Sequence, residues 1–181
     1  MIKLGLFKNE TPLKGIDGWL KEIFFATLTA VLIIVFLVQP VRVEGNSMLP
    51  RLHNNERVFV NKFLYRVSDI ERGDIVVFWY PGNTSKSFIK RVVGLPGEIV
   101  EIKDGEVLLN GLPYYEPYVP LEFRDNSDLP PLEIPEGHYF VMGDHRNTSN
   151  DSRSWGTLSS NLIFGKAVFR YWPISRVGSL E

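Results

Sequence analysis

The hydrophobic positions of this chain fall into two regimes. Between Ile23 and Val41 they form a single block of 19 residues without a charge, IFFATLTAVLIIVFLVQPV. After Arg42 they come in short runs separated by Gly, Pro and charged residues. The core of the block, Ile23–Val38, contains only Thr27 and Thr29 as polar residues, and a helix absorbs such hydroxyls by back-bonding. A hydrocarbon core of about 30 Å needs about 20 helical residues. That length is reached once Trp19 and Leu20 join as an interfacial start, and Pro40 stops the helix. A buried core helix this long normally carries a polar stripe, and this one has none. A cleaved leader would need small residues just past the apolar run, whereas the exit reads Val38-Gln39-Pro40-Val41-Arg42. The pattern therefore predicts an uncleaved transmembrane anchor over 19–40, after a tail of residues 1–18. Lys3, Lys8, Lys14 and Lys21 in and beside that tail favour its staying inside. Residues 41–181 would then lie outside the cytoplasm.

The second regime predicts strands. Arg57–Asn61, Asp74–Trp79, Ser87–Val93, Glu98–Lys103, Glu106–Asn110, His138–Met142 and Lys166–Trp172 are runs of β-branched and aromatic residues. Asp104-Gly105 between two of them is a hairpin signal. The fold class expected is mainly β: one transmembrane helix, then a folded antiparallel sheet or barrel-like domain. Residues 110–137 differ, with Pro113, Pro117, Pro120, Pro130, Pro131 and Pro135 among six acidic residues. They read as an extended acidic surface insertion and not as a strand. A short helix over Leu158–Leu162 fits the pattern.

Composition narrows the chemistry. Twenty Lys and Arg stand against 21 Asp and Glu, a net charge of -1, so a basic nucleic-acid footprint is absent. There is no Cys, which excludes a disulfide framework, a thiolate zinc site and a cysteine nucleophile.

Three residue sets could carry a reaction. Ser47 lies in Gly45-Asn46-Ser47-Met48-Leu49-Pro50. A turn of this kind can expose a hydroxyl and leave its own N–H as an oxyanion donor, although Ser is also an ordinary turn former. Lys90 lies in a strand where Phe88, Lys90 and Val92 share one face. On an apolar face a Lys loses hydration, its pKa falls from about 10.4, and it can act as a general base. A Lys that snorkels from a sheet edge is the alternative, and the residue pattern by itself favours it. The third set is the polar stretch Gly143–Gly156, which reads as a loop of Asp–Arg pairs able to buttress a site. Two rival constellations use the same region. One is a Ser–His–Asp triad with Asp144 and His145, which are adjacent and so point apart on a strand. The other is a metal site from His53, His138 and His145, which no ligand spacing supports.

These three sets, in this order behind an apolar anchor, resemble the bacterial type I signal peptidases (leader peptidases), serine–lysine proteases that cut signal peptides from exported preproteins. Asn46-Ser47-Met48-Leu49-Pro50 resembles the nucleophile box and Lys90-Arg91-Val92-Val93-Gly94-Leu95-Pro96-Gly97-Glu98 the general-base box. Val58–Phe63, Gly73–Phe78 and the stretch from Gly143 to Gly156 are similar to the family's other boxes. The resemblance implies Ser47 as nucleophile, Lys90 as general base and Ser149 as the hydroxyl orienting the Lys. It implies Asp144, Arg146, Asp151 and Arg153 as supports of the closing loop. Val41, Val43, Met48, Leu52 and Ile89 would form shallow pockets preferring Ala at positions -1 and -3 of a substrate. Segment 41–44 and the strand near 86–89 would flank that substrate. Gly45 stands where some members carry an oxyanion Ser, Arg51 where Thr is usual, and His145 where Asn is usual.

The activity implied is a membrane-bound serine endopeptidase working through an acyl-enzyme, with no cofactor and no metal. Its implied partners are signal-peptide-bearing preproteins, the lipid bilayer and a neighbouring secretion translocon, with no nucleic acid. The implied location is the plasma membrane, or an internal membrane such as the thylakoid, with a single pass and the catalytic domain on the extracytoplasmic side. Two rivals are a self-cleaving serine–lysine repressor, which would need a DNA-binding N-terminus in place of the apolar block, and a catalytically silent relative that only binds preproteins.

Overall fold

The structure, a computed structural model, describes residues 16–180, with side chains from Gly18 onward except those of residues 33–36 and Arg66. Most of the expected N-terminal tail, including Lys3, Lys8 and Lys14, lies outside the described residues. The chain divides into two units, one ending at Phe36 and one beginning at Leu37.

The first unit contributes helix α1, Ile16–Leu37, 22 residues long. It carries exposed Trp19, Leu20, Ile23, Phe24, Phe25, Leu28, Val31 and Leu32. Among the described residues no helix is long and apolar enough to cross a membrane. The helix ends three residues before Pro40, because proline biases the residue before it away from the helical region. Val38–Arg42 forms strand β1 instead, so the last residues assigned to the anchor belong to the sheet.

The second unit is mainly β, and every pairing in it is antiparallel. The strands are β2 (Arg57–Asn61), β3 (Ile75–Tyr80), β4 (Asn83–Gly94), β5 (Ile99–Lys103), β6 (Glu106–Leu109), β7 (Leu112–Pro113), β8 (Leu129–Glu133), β9 (His138–Met142), β10 (Leu158–Ser159), β11 (Ile163–Trp172) and β12 (Gly178–Ser179). One sheet runs β1-β2-β11-β3-β4-β9-β10, with β12 on β11, and a second runs β7-β6-β5-β8. β2 alternates, burying Val58 and Val60, as a strand with one core face must. β3 buries Ile75, Val76, Val77 and Phe78 in succession. It lies between β11 and β4. Ile75 and Val77 join Val58, Val60 and Ala167, whereas Val76 and Phe78 join Val92, Val141 and Leu158. A strand covered on both faces loses its polar alternation. The hairpin between β5 and β6 turns at Asp104 and Gly105, φ 48° and 79°. Two successive positive φ values are what a tight hairpin turn requires.

Two expectations are corrected. Residues 110–137 are not simply a loop, because Leu129-Pro130-Pro131-Leu132-Glu133 pairs with β5. β8 is an end strand of the small sheet, where a missing N–H need not face a neighbour. Pro40 in β1, an end strand of the large sheet, follows the same logic. Leu158–Leu162 is not an α-helix but strand β10 followed by a single 3-10 turn. Leu158 is fully buried and opposite Tyr139, so sheet pairing overrides its local preference.

Candidate active site

Ser47 sits in a turn between β1 and β2. Gly45 enters it at φ 89°, a left-handed value that favours glycine, and Gly45 N–H donates to Asn54 Oδ1 at 3.0 Å. Leu49 N–H donates to Asn46 O at 3.2 Å and Leu52 N–H to Met48 O at 2.8 Å. Met48 and Leu52 are buried with Val58, Val60 and Ile75. These two apolar anchors hold the turn from beneath and leave Ser47 half-buried beside open space.

Lys90 comes from β4, opposite Val76 of β3. It does not snorkel: only 4% of the residue is exposed. Nζ donates to Ser47 Oγ at 2.7 Å and to Ile89 O at 3.1 Å. It also lies 5.3 Å from the centre of the Phe88 ring on the same strand face. Desolvation by this burial lowers its pKa to about 8, while the charges of Asp151 and Asp144 oppose the fall. A Lys with that value is about one-tenth neutral at pH 7 and half neutral near pH 8.

The stretch Gly143–Gly156 packs behind the pair as a network of buried ions. Asp144 takes a two-pronged bond from Arg91, Nε–Oδ1 2.8 Å and Nη2–Oδ2 2.7 Å. Asp151 caps helix α2, Ser152–Trp155, and accepts from Gly143 N–H at 3.0 Å and Arg153 Nε at 2.8 Å. Burial alone would raise the Asp151 pKa, but the bonds and charge of Arg153 hold it below the usual carboxylate value. Arg146 Nη1 and Nη2 grip Glu116 at 2.7 and 2.6 Å, and Tyr118 donates to the same carboxylate at 2.6 Å. Arg153 Nη1 reaches Asp125 at 2.5 Å. Glu116, Tyr118 and Asp125 all come from the Pro-rich segment read as surface. Local sequence spacing gives no sign of these partners, whose acidic segment carries a single cation of its own, Arg124.

Ser149 is placed differently from the resemblance. Its Oγ is buried and lies beside Asp151, where it favours the ionised carboxylate, while the Lys90 amine bonds to Ser47 Oγ and Ile89 O. The rival triad is not assembled: Asp144 is engaged by Arg91, and the His145 ring faces Asn46 O. Among the described residues no group of three potential ligands could hold a metal ion.

A cavity of about 690 Å³ opens in front of Ser47 and Lys90. Val41, Val43 and Ile89 line it, as do Val77, Phe88 and His145. Met48 and Leu52 lie behind Val43 in the core and do not line it. Its two sides come from 41–44 and from 87–90. Gly143 packs against the Ser47 turn, where a Cβ would collide with Ser149 Oγ and Ser47 O. Gly143→Ala is therefore expected to displace the Ser47 turn and cost roughly 1–3 kcal/mol of stability by overpacking. Thermal unfolding and the rate of peptide cleavage check this, the rate falling more than stability alone explains.

Comparison with known proteins gives the family. Residues 16–172 match the model of the family described as signal peptidase, peptidase S26. Signal peptidase I of Bacillus amyloliquefaciens is 42% identical over 165 residues, covering 86% of this chain and 84% of the relative. Signal peptidase I T of Bacillus subtilis is 40% identical over 169 residues, covering 88% and 86%. A probable signal peptidase I-1 of Synechocystis is 39% identical over 183 residues, covering 95% and 92%. A crystal structure of a signal peptidase I from Enterococcus faecalis aligns at 33% identity and TM-score 0.49, covering 55% of this chain and 97% of that one. With a family match spanning most of its length and relatives near 40% identity, this chain belongs to the signal peptidase family, peptidase S26.

Proposed function

We propose that this protein is a membrane-anchored serine endopeptidase that removes N-terminal signal peptides from exported preproteins, with Ser47 as nucleophile and Lys90 as general base. The observation that carries the mechanism is the 2.7 Å contact between Ser47 Oγ and a Lys90 amine only 4% exposed. Family membership supports the reaction class. An extended peptide enters between 41–44 and 87–90, adding its backbone to strand edges. Ser47 Oγ attacks the scissile carbonyl as neutral Lys90 takes the hydroxyl proton. The tetrahedral oxyanion is met by Ser47 N–H. Protonated Lys90 then gives its proton to the leaving amine, and the acyl-enzyme is opened by water that Lys90 deprotonates. Val41, Val43 and Ile89 present a small apolar wall, which suits short side chains such as Ala. Asp144, Arg146, Asp151 and Arg153 brace the loop behind the pair, and Ser149 lies within that loop as a nearby hydroxyl.

The proposed membrane attachment rests on the uncharged helical run 23–37 and on the exposed Trp19, Phe24 and Phe25 of α1. On this reading the catalytic unit lies on the extracytoplasmic side of a plasma or internal membrane, near the translocon. Alkaline carbonate extraction of membranes tests it: release of the full chain into the supernatant contradicts an integral anchor.

The function is tested by incubating the detergent-solubilised full chain with a preprotein and identifying the new N-terminus by mass, beside Ser47→Ala. Equal cleavage by wild type and variant sinks the protease reading. A pH profile supplies an independent check. Because the base must be neutral and its pKa is about 8, kcat/KM is expected to rise tenfold per pH unit below 8 and level off above it. A profile flat from pH 6 to 9 excludes Lys90 as the base.

A further inference from the structure

His145 belongs to the closing stretch but reaches back to the nucleophile turn, 99 positions away in sequence. Its backbone N–H donates to Ser47 O at 3.0 Å. Its ring Nδ1 lies 3.2 Å from Asn46 O. A carbonyl oxygen only accepts, so the proton of that bond resides on Nδ1. Phe123 packs edge-on against the imidazole, centroids 4.7 Å apart at 82°. Asn46 O accepts a second bond, from Leu49 N–H at 3.2 Å.

The Asn46 carbonyl and the Ser47 N–H are two ends of one peptide unit. That unit is planar and trans, so the two groups point in opposite directions. Two donors pinning the carbonyl therefore fix where the Ser47 N–H points. Serial hydrogen bonds also polarise each other, so a donor on the carbonyl makes the N–H of the same unit a stronger donor. Gly45 brings no hydroxyl to assist, which leaves more of the oxyanion's stabilisation to this one backbone group.

From this geometry we infer that His145 is a positioning residue for oxyanion stabilisation, aiming and polarising the Ser47 N–H through the Asn46–Ser47 peptide. The inference rests on the Ser47–Lys90 reading. It requires that removing the Nδ1 donor harm the transition state and leave ground-state peptide binding nearly intact.

The test uses the full chain in detergent with a signal-peptide substrate carrying Ala at -1 and -3. Wild type, His145→Leu and His145→Asn are compared for kcat, KM and inhibition by a peptide aldehyde of the same sequence. Ser47 Oγ adds to the aldehyde carbon and the hydroxyl proton passes through Lys90 to the former carbonyl oxygen, so the adduct places that oxygen where the oxyanion forms. His145→Leu is expected to lower kcat about tenfold, a fraction of the 10²–10³ lost with a whole oxyanion donor, with KM changed less than about twofold. Aldehyde inhibition should weaken in parallel. His145→Asn, whose amide N–H can donate to the same carbonyl, should recover most of both. Wild-type kcat and aldehyde affinity in His145→Leu, or equal impairment in His145→Asn, overturns the inference alone. Cleavage that survives Ser47→Ala in the same assay overturns the serine reading beneath it as well.

Discussion

Lys90→Met is expected to lower cleavage by about 10²–10⁴-fold, the range attributable to a lost general base, while making the folded chain more stable at neutral pH. The two effects have one cause. Lys90 is almost wholly buried and its pKa falls from 10.5 to about 8 on desolvation. The unfolded chain therefore binds more protons than the folded chain between those values. Stability rises with pH wherever the unfolded state binds more protons. Below pH 8 the folded state carries the full cost of a buried charged amine, on the order of 3 kcal/mol. Loss of the bond to Ser47 offsets roughly 1 kcal/mol of the gain. Met, of similar length and without charge, should thus raise stability by about 2 kcal/mol below pH 8, with the gain fading as pH rises towards 10.5. Thermal unfolding of both proteins at pH 6.5 and pH 10 measures this. A gain that is the same at both pH values, or a loss at pH 6.5, contradicts the burial argument even if activity is abolished.

Glu116→Ala is expected to be the most destabilising single change outside the apolar core. Its carboxylate receives both terminal nitrogens of Arg146 and the Tyr118 hydroxyl. Arg146 and Glu116 are 4% and 7% exposed. Removing one partner leaves a buried guanidinium without its counter-charge, which typically costs 3–5 kcal/mol. Replacing the pair together, Glu116→Leu with Arg146→Met, should recover much of that loss, because it removes both desolvation costs. Denaturant unfolding of Glu116→Leu, Arg146→Met and the double variant gives the coupling. Additive losses mean that the two side chains do not stabilise each other. Cleavage should fall with Glu116→Ala even at temperatures where it stays folded, since Arg146 Nε also holds Gly143 O at 3.0 Å, directly behind the Ser47 turn.

The strands were legible because burial on one face imposes a period of two, and His138–Met142 and Arg57–Asn61 have the bounds their sequence pattern predicts. The Asp104-Gly105 hairpin was legible because only certain residues tolerate successive positive φ values. The reading weakened wherever a segment's environment came from distant chain. Leu129–Glu133 reads as a loop by its two prolines, yet becomes a strand because it sits at a sheet end. Val38–Pro40 reads as the end of the apolar anchor, yet pairs with β2.

The sequence by itself determined the division into an apolar helical block and a β unit, the order of the motifs, and the absence of a thiol from the chemistry. These are properties of local composition and spacing. Only the tertiary structure decided the state of Lys90. Forty-three positions separate it from Ser47, and its lowered pKa exists because sheet packing removes water from its amine. The same holds for the acidic segment that pairs with Arg146 and Arg153, and for the histidine that pins the Ser47 peptide. Burial and juxtaposition arise from the whole fold, and no local stretch of sequence contains them.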